Sequence, residues 1–216
     1  MIARLAPRFA RVPPAQRRLW PELRPSVSLG FVLYGGTAVS LQLGHRRSVD
    51  FDFFHDRPLD RRAIREAFAF MRSAQTLQEA ADTLVVLVPD AHSRGRTAVK
   101  VSFFGALGFG RVGDPLLASD GVAQVASLED LLAHKLKVML QRAERKDYGD
   151  VAAMLRAGGS LAHGLAAARL FFGTAFQPAA SLKALTFFRD GDLRRLPQAD
   201  QNTLISAAAS VRELPR

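Results

Sequence analysis

The sequence predicts an α/β (α+β) fold in which a mixed sheet with flanking helices is followed by a helical half. Apolar runs typical of strands occur only in the first part of the chain, at 31–34, 48–54, 76–80, 83–88 and 97–104. Two helical patterns, at 37–43 and 58–72, lie among them. Later patterns are all helical, at 128–141, 147–156, 161–172, 179–188 and 200–213. We therefore expect an α/β core with a basic N-terminal arm at 1–120 and a helical part at 121–216.

The composition is that of a soluble globular protein. The 216 residues are 48% hydrophobic and 23% charged, and no window is apolar enough to cross a membrane. Residues 1–24 are rich in arginine and lack an apolar core, so we expect no secretory signal there. The chain has no cysteine, which excludes disulfides and thiolate metal sites and is compatible with a cytoplasmic location.

The charge balance favours a polyanionic partner. The net charge is +10, and only five of the thirty basic residues are lysines. Arginine-rich codon usage explains the scarcity of lysine, but an excess of positive charge favours a partner such as RNA. The first thirty residues combine six arginines with five prolines, so we expect a loose basic arm followed by a short helix at 15–23. The polyanion is expected to bind across this arm and the mouth of the site.

A candidate site combines two glycines with two carboxylates. Gly35 and Gly36 follow a strand and precede a short helix, and Asp50 and Asp52 lie on the next strand. Residues i and i+2 of a strand share a face, so the two carboxylates project together and require a cation, usually Mg²⁺. Glycines at a helix N-terminus let the backbone approach a phosphate closely. The pattern therefore predicts metal-dependent phosphoryl or nucleotidyl transfer.

The helical half carries a second candidate group. Lys135 lies within an apolar stripe of the helix at 128–141, with Arg142 seven residues further on the same flank. Asp147 and Asp150 are three apart and share one face of the next helix. Lys135 is either a cation for a triphosphate or a lysine whose stem covers the core. The aspartates either complete the site or interact with the helix dipole.

These motifs resemble a known family. The sequences YGGTA at 34–38 and RSVDFDFF at 47–54 resemble the signature of the nucleotidyltransferase superfamily. More narrowly, they are similar to AbiEii/MenT-type toxin nucleotidyltransferases of bacterial toxin–antitoxin systems. HKLK at 134–137, Arg142 and KDYGD at 146–150 resemble the motifs of that family's helical half.

The resemblance implies a nucleotidyltransferase-like fold whose helical half completes the active site. It also implies Mg²⁺, a nucleoside triphosphate donor and an acceptor that is often tRNA, and it makes a cognate antitoxin protein a candidate partner. The residues implied to be catalytic are Asp50, Asp52, Lys135, Asp147 and Asp150, with Asp50 and Asp52 as metal ligands and the choice between Asp147 and Asp150 left open. The residues implied to bind the nucleotide are Gly35, Gly36, Thr37, Arg47, Ser48 and Arg142.

One position departs from the superfamily pattern. A third carboxylate is common on a later strand, and the corresponding position here is Ser102, which cannot replace an ionised ligand. We therefore weigh three hypotheses: a nucleotidyltransferase, a catalytically degenerate nucleotide- or RNA-binding protein of the same fold, and a metal-dependent phosphodiesterase.

Overall fold

The computed structural model describes residues 3–93 and 97–215, which form two compact units. Unit 1 contains the described part of 1–110 together with 114–126. Unit 2 contains 111–113 and the described part of 127–216. Unit 1 carries the sheet and unit 2 is helical, which confirms the predicted fold class.

Unit 1 is built on a mixed sheet that has eight strands among the described residues. The strands are β1 (Arg4–Leu5), β2 (Val32–Tyr34), β3 (Asp50–Phe54), β4 (Gln75–Ala80), β5 (Thr83–Pro89), β6 (Ala98–Phe104), β7 (Leu116–Ala118) and β8 (Gln124–Val125). Their order is β1-β7-β8-β2-β3-β6-β5-β4. The central strand β3 runs antiparallel to β2 and parallel to β6, so residues of all three strands share its two faces.

The helix boundaries in unit 1 differ from those that the sequence predicts. They are α1 (Pro14–Leu19), α2 (Pro25–Ser28), α3 (Gly35–Leu43) and α4 (Arg61–Ala67). The helix predicted at 58–72 begins later because the Asp60 side chain accepts a hydrogen bond from the Ala63 N–H and caps the helix there. It ends at Phe68, whose extended backbone separates α4 from a short 3₁₀ turn at Ala69–Arg72.

Phenylalanines on one face of the sheet form the core of unit 1. Phe51 and Phe53 of β3 and Phe103 of β6 are fully buried. The rings of Phe53 and Phe103 stack with centroids 5.6 Å apart, and Trp20 lies 6.0 Å from Phe51. Burying each such ring stabilises the fold by roughly 1.5–3 kcal/mol. This burial fixes the face of β3 and leaves Asp50 and Asp52 on the other one.

The prediction of a loose N-terminal arm is wrong for the described residues. Strand β1 pairs in parallel with β7, and the Trp20 indole N–H donates to Asp120 at 2.7 Å. Arg17 donates to the Val12 carbonyl at 3.0 Å, and Arg18 forms a bidentate pair with Asp90 at 2.6 and 3.0 Å. Arginines that the sequence alone suggests are solvated therefore hold this segment to the sheet.

Unit 2 contains α5 (Leu128–Met139), α6 (Arg145–Arg156), α7 (Leu161–Phe172), α8 (Pro178–Leu185) and α9 (Gln198–Ser210). Ser127 caps α5 by accepting a hydrogen bond from the Asp130 N–H, as its spacing predicts. The buried Asp130 carboxylate in turn accepts from the Val112 and Gly113 N–H groups at 2.9 and 3.3 Å. Burial raises the pKa of Asp130 above its ordinary value despite these hydrogen bonds.

No helix among the described residues is long and apolar enough to span a membrane.

Candidate active site

Strand β3 presents the two predicted carboxylates on the face opposite the aromatic core. Asp50 and Asp52 are partly exposed, whereas Phe51 and Phe53 between and beyond them are buried. The Thr37 hydroxyl donates to the backbone carbonyl of Asp50. Thr37 is itself buried, so its side chain holds β3 against α3 and only its backbone N–H could serve a nucleotide.

The glycine turn lies directly against Asp52. Gly35 has a φ of +72°, a conformation that strains other residues, and a Cβ there would come within 2.5 Å of the Asp52 Oδ2 atom. Helix α3 begins at Gly35, two residues before the predicted start, so both glycines form its first turn. The side chain of the N-cap residue Tyr34 makes no capping hydrogen bond to the described residues of this helix. First-turn N–H groups without a side-chain cap provide a suitable place for a phosphate.

Arg46 and Ser48 flank the second glycine. A Cβ on Gly36 would collide with the Arg46 guanidinium and would lie 3.1 Å from the Ser48 hydroxyl. Arg47, which the resemblance indicates as a nucleotide ligand, is exposed, and its carbonyl accepts from the Arg46 Nη1 atom at 2.9 Å. Sequence reasoning therefore missed Arg46, which lies in the loop before β3, where no strand alternation indicates it.

The neighbouring strand β6 brings two further residues to this face. In the parallel register, Lys100 lies beside Asp50 and Ser102 beside Asp52. The Lys100 ammonium is 3.1 Å from the Asp50 Oδ2 atom, and Ser102 is buried. The expected position of a third carboxylate is therefore occupied by a buried hydroxyl, and a cation stands next to the first carboxylate.

The donor set fits a hard divalent ion that is held jointly with a substrate. Among residues 3–93 and 97–215, no group of three or more histidine, cysteine, aspartate or glutamate side chains is arranged to hold a metal. Two carboxylates of one strand do share a face, and Mg²⁺ is commonly held by one or two carboxylates with phosphates and water completing its shell. Asp50 and Asp52 would hold the ion, which when bound would offset the negative charge of the phosphates.

Unit 2 contains a buried cluster of opposite charges, which we call the Lys135 cluster: Lys135, Arg142, Asp147 and Asp150. The Lys135 ammonium lies 2.6 Å from Asp147 and 2.7 Å from Asp150, and both aspartate side chains are 0% exposed. Arg142 donates to Asp147 at 2.9 Å from a position just beyond the end of α5. The structure thus joins all four helical residues that the sequence indicates, with both aspartates on the same ammonium.

Asp147 is ionised despite its burial. Desolvation acts to raise its pKa, but the charge of Lys135 and the hydrogen bonds from Arg142 and Lys135 outweigh that effect, so the pKa lies below the ordinary value. Arg142 also borders a cavity of ≈ 260 Å³ in unit 2 that Tyr148, Phe187 and Asp190 help to line. Arg142 is half-exposed, so it can reach an anion without leaving Asp147.

The fold and the carboxylate face define a protein of the nucleotidyltransferase class. Residues 22–215 match the family described as the nucleotidyl transferase AbiEii toxin of type IV toxin–antitoxin systems, and the chain belongs to that family. This confirms the resemblance that the motifs indicate. AbiEii proteins are nucleotidyltransferases, so family membership also supports the expectation of an enzyme.

One relative matches the chain in sequence, and two solved structures share its fold. An uncharacterized protein, aq_aa25, from Aquifex aeolicus is 31% identical over 143 residues, which are 63% of this chain and 65% of that relative. The chain therefore matches just under two thirds of that relative's length. MenT4, a nucleotidyltransferase toxin from Mycobacterium tuberculosis H37Rv, has the same fold, with a TM-score of 0.62 and 14% identity over 91% of this chain and 83% of its own. JHP933 from Helicobacter pylori gives a TM-score of 0.57 at 15% identity over 90% and 88%.

Proposed function

We propose that this protein is a Mg²⁺-dependent nucleotidyltransferase toxin that transfers a nucleoside monophosphate from a nucleoside triphosphate to RNA. The observation that carries the proposal is the contact between the glycine turn and the carboxylate pair. Gly35 lies against Asp52, so a phosphate bound at the N-terminus of α3 would also lie beside the carboxylates that hold the metal.

The reaction follows from these groups. The acceptor hydroxyl oxygen attacks the α-phosphorus, a new P–O bond forms, and the bond to the bridging oxygen breaks so that pyrophosphate leaves with the electron pair. The hydroxyl proton passes to solvent or to a carboxylate of the site. Arg46 and Ser48, which flank Gly36, would bind phosphate oxygens of the triphosphate.

RNA is the proposed acceptor because of the charge of the chain. A net charge of +10 favours a polyanion. RNA binding should weaken with salt, and the logarithm of the binding constant plotted against the logarithm of the salt concentration should have a slope of roughly −0.7 per single-strand phosphate contact. Because β1 is part of the sheet, deleting the N-terminal segment would damage unit 1. Replacing the exposed Arg4 and Arg11 with glutamine tests its role without that damage. Affinity and slope that do not change in this variant would place the RNA elsewhere.

Ser102 supports a second candidate function. A buried hydroxyl in place of a third carboxylate favours a protein that binds nucleotide without transferring it. A cognate antitoxin protein is a proposed partner of either form, since the family is one of toxin–antitoxin toxins.

Labelled nucleotides separate these functions. Incubation with total tRNA, Mg²⁺ and α-³²P-labelled triphosphates should label RNA, whereas γ-labelled triphosphates should not. Asp50→Asn should abolish transfer, and the matched control Asp56→Asn, whose side chain is 84% exposed, should not change it. Nucleotide binding without transfer by the unmodified protein would support the degenerate form, and shortening of unlabelled RNA would support a phosphodiesterase.

A further inference from the structure

Lys100 is the only lysine among the first 134 residues, where the other cationic side chains, apart from histidines, are all arginines. It lies on β6 directly beside Asp50, with its ammonium 3.1 Å from the carboxylate. The two side chains are 40% and 37% exposed. An ion pair with that exposure contributes little to folding stability, so stability alone does not account for a lysine at this position.

The charges on this face show what the lysine changes. Asp50 and Asp52 carry two negative charges, which Lys100 beside Asp50 and the Arg46 guanidinium beside Gly36 already offset. Ser102 is neutral, so this face offers no third carboxylate to a second divalent ion. A second ion would be repelled by both cations and by the first ion, so the carboxylate pair can accommodate one divalent ion but not two.

We infer that Lys100 is a built-in counterion that competes with a divalent ion for Asp50, limits the carboxylate pair to one ion and makes metal loading depend on the nucleotide. In the nucleotide-free protein the ammonium already partly neutralises the pair, so a divalent ion gains less by binding. Phosphates add negative charge beside the ion and shift the competition in its favour. The inference rests on the proposed function only for the nucleotide, because competition for Asp50 is a property of the protein and the ion alone.

The test is a titration of the nucleotide-free protein with Mn²⁺, with free ion measured by electron paramagnetic resonance. Lys100→Met should bind Mn²⁺ roughly tenfold more tightly. Repulsion between a unit positive charge and a divalent ion, separated by several ångströms of water, weakens binding of the ion by about that factor. Lys100→Arg keeps the charge and should bind as the unmodified protein does. Lys183→Met removes the same charge from an exposed position on α8 in unit 2 and should stay within twofold.

Two further variants assign the effect to the carboxylates. Adding Asp50→Asn to Lys100→Met should remove the gain in affinity. Adding Ser102→Asp to Lys100→Met should raise the number of ions bound per chain, with triphosphate present, from one to two. Circular dichroism of each variant establishes that it is folded, and Lys100→Gln replaces Lys100→Met if the latter is not.

An Mn²⁺ affinity of Lys100→Met within twofold of the unmodified protein, or weaker, overturns the inference, as does a stoichiometry of two in the unmodified protein. The outcome is distinguishable from failure of the proposed function. Tighter Mn²⁺ binding without any nucleotidyl transfer would keep this inference and remove the function. Transfer with unchanged Mn²⁺ affinity would do the reverse.

Discussion

Replacing Lys135 with methionine removes the cation that two fully buried carboxylates share. Its ammonium makes contacts of 2.6 and 2.7 Å to side chains that are 0% exposed. Arg142 continues to compensate Asp147, so the main cost falls on Asp150. Removing one partner of a buried ion pair costs roughly 3–5 kcal/mol, and 1 kcal/mol shifts the melting temperature of a chain of this size by about 2–4 °C. We expect Lys135→Met to lower the melting temperature by roughly 6–20 °C.

The chain offers separate probes for its two units. Its single tryptophan, Trp20, lies in unit 1, whereas the long helices that dominate far-ultraviolet circular dichroism lie in unit 2. Urea unfolding of Lys135→Met, followed by tryptophan fluorescence and by circular dichroism, should show the larger loss of unfolding free energy in the dichroism signal. Lys137→Met removes a lysine that donates to the Ala175 carbonyl and lies over the Phe172 ring. It is the matched control and should change the unfolding free energy by less than about 1 kcal/mol.

A second substitution tests the reason for the loss. Removing the charge of the buried Asp150 with Lys135→Met/Asp150→Asn should recover part of the stability, because an amide costs less to bury than a carboxylate that has lost the Lys135 ammonium. Surface substitutions usually change the unfolding free energy by no more than about 0.5 kcal/mol. A change no larger than that in Lys135→Met would refute this reasoning. Loss of nucleotidyl transfer in a Lys135 variant is informative about catalysis only when this stability measurement accompanies it.

The remaining predictions concern glycines and one histidine. Gly35→Ala should cost about 1–2 kcal/mol through its positive φ and should also displace Asp52, so metal and nucleotide binding are lost together in calorimetry. Gly36→Ala meets only the ends of the Arg46 and Ser48 side chains, so we expect weaker nucleotide binding with a nearly unchanged melting temperature. Gly164→Ala would place a methyl group 2.7 Å from the Leu132 side chain and should destabilise unit 2 by about 1–3 kcal/mol in urea unfolding. Gly149→Ala makes only an ordinary contact with the Asp200 side chain at 3.9 Å and should not destabilise unit 2. Burial lowers the pKa of His134 to about 4, so between the ordinary pKa of about 6.5 and pH 4 the unfolded chain binds more protons than the folded one. As the pH is lowered through that range, the free energy of unfolding should fall by up to about 1.4 kcal/mol per pH unit. His134→Leu should abolish that slope. The His134 resonance in NMR spectra is the one that this substitution removes, and its titration near 6.5 would contradict the prediction. The low pKa of Asp147 affects stability at more acidic pH. Its contribution to the free energy of unfolding is fully present above the ordinary carboxyl pKa and is lost as the pH falls from there through the lowered pKa of the folded state.

Residue alternation explains why the carboxylate strand could be predicted from the sequence. Buried Phe51 and Phe53 fix which face of β3 the aspartates occupy, and the pattern is visible without any partner strand. The same rule places Lys100 on the face of Ser102, but bringing that face beside the aspartates requires knowing which strand pairs with β3 and in which register. That information is long-range and does not lie in any local window.

The short strands could not be predicted for a related reason. Strands β1 and β8 have two residues each and show no periodicity. Arg4 pairs with Leu117, more than a hundred residues away, so the strand exists only because its partner does. The misjudged arm follows from this, because proline and arginine are typical of loose segments and nothing local indicates that Arg18 meets Asp90.

The segment 111–113 has a consequence for dissecting the protein into fragments. The chain passes between the two units three times, after Gly110, after Gly113 and after Ala126. A fragment that starts at Ser127 would lack Val112 and Gly113, whose N–H groups donate to the buried Asp130 carboxylate at the start of α5. Cutting the gene at one point therefore cannot yield two self-sufficient halves. A split reporter or separately expressed helical unit would need the tripeptide grafted ahead of Ser127.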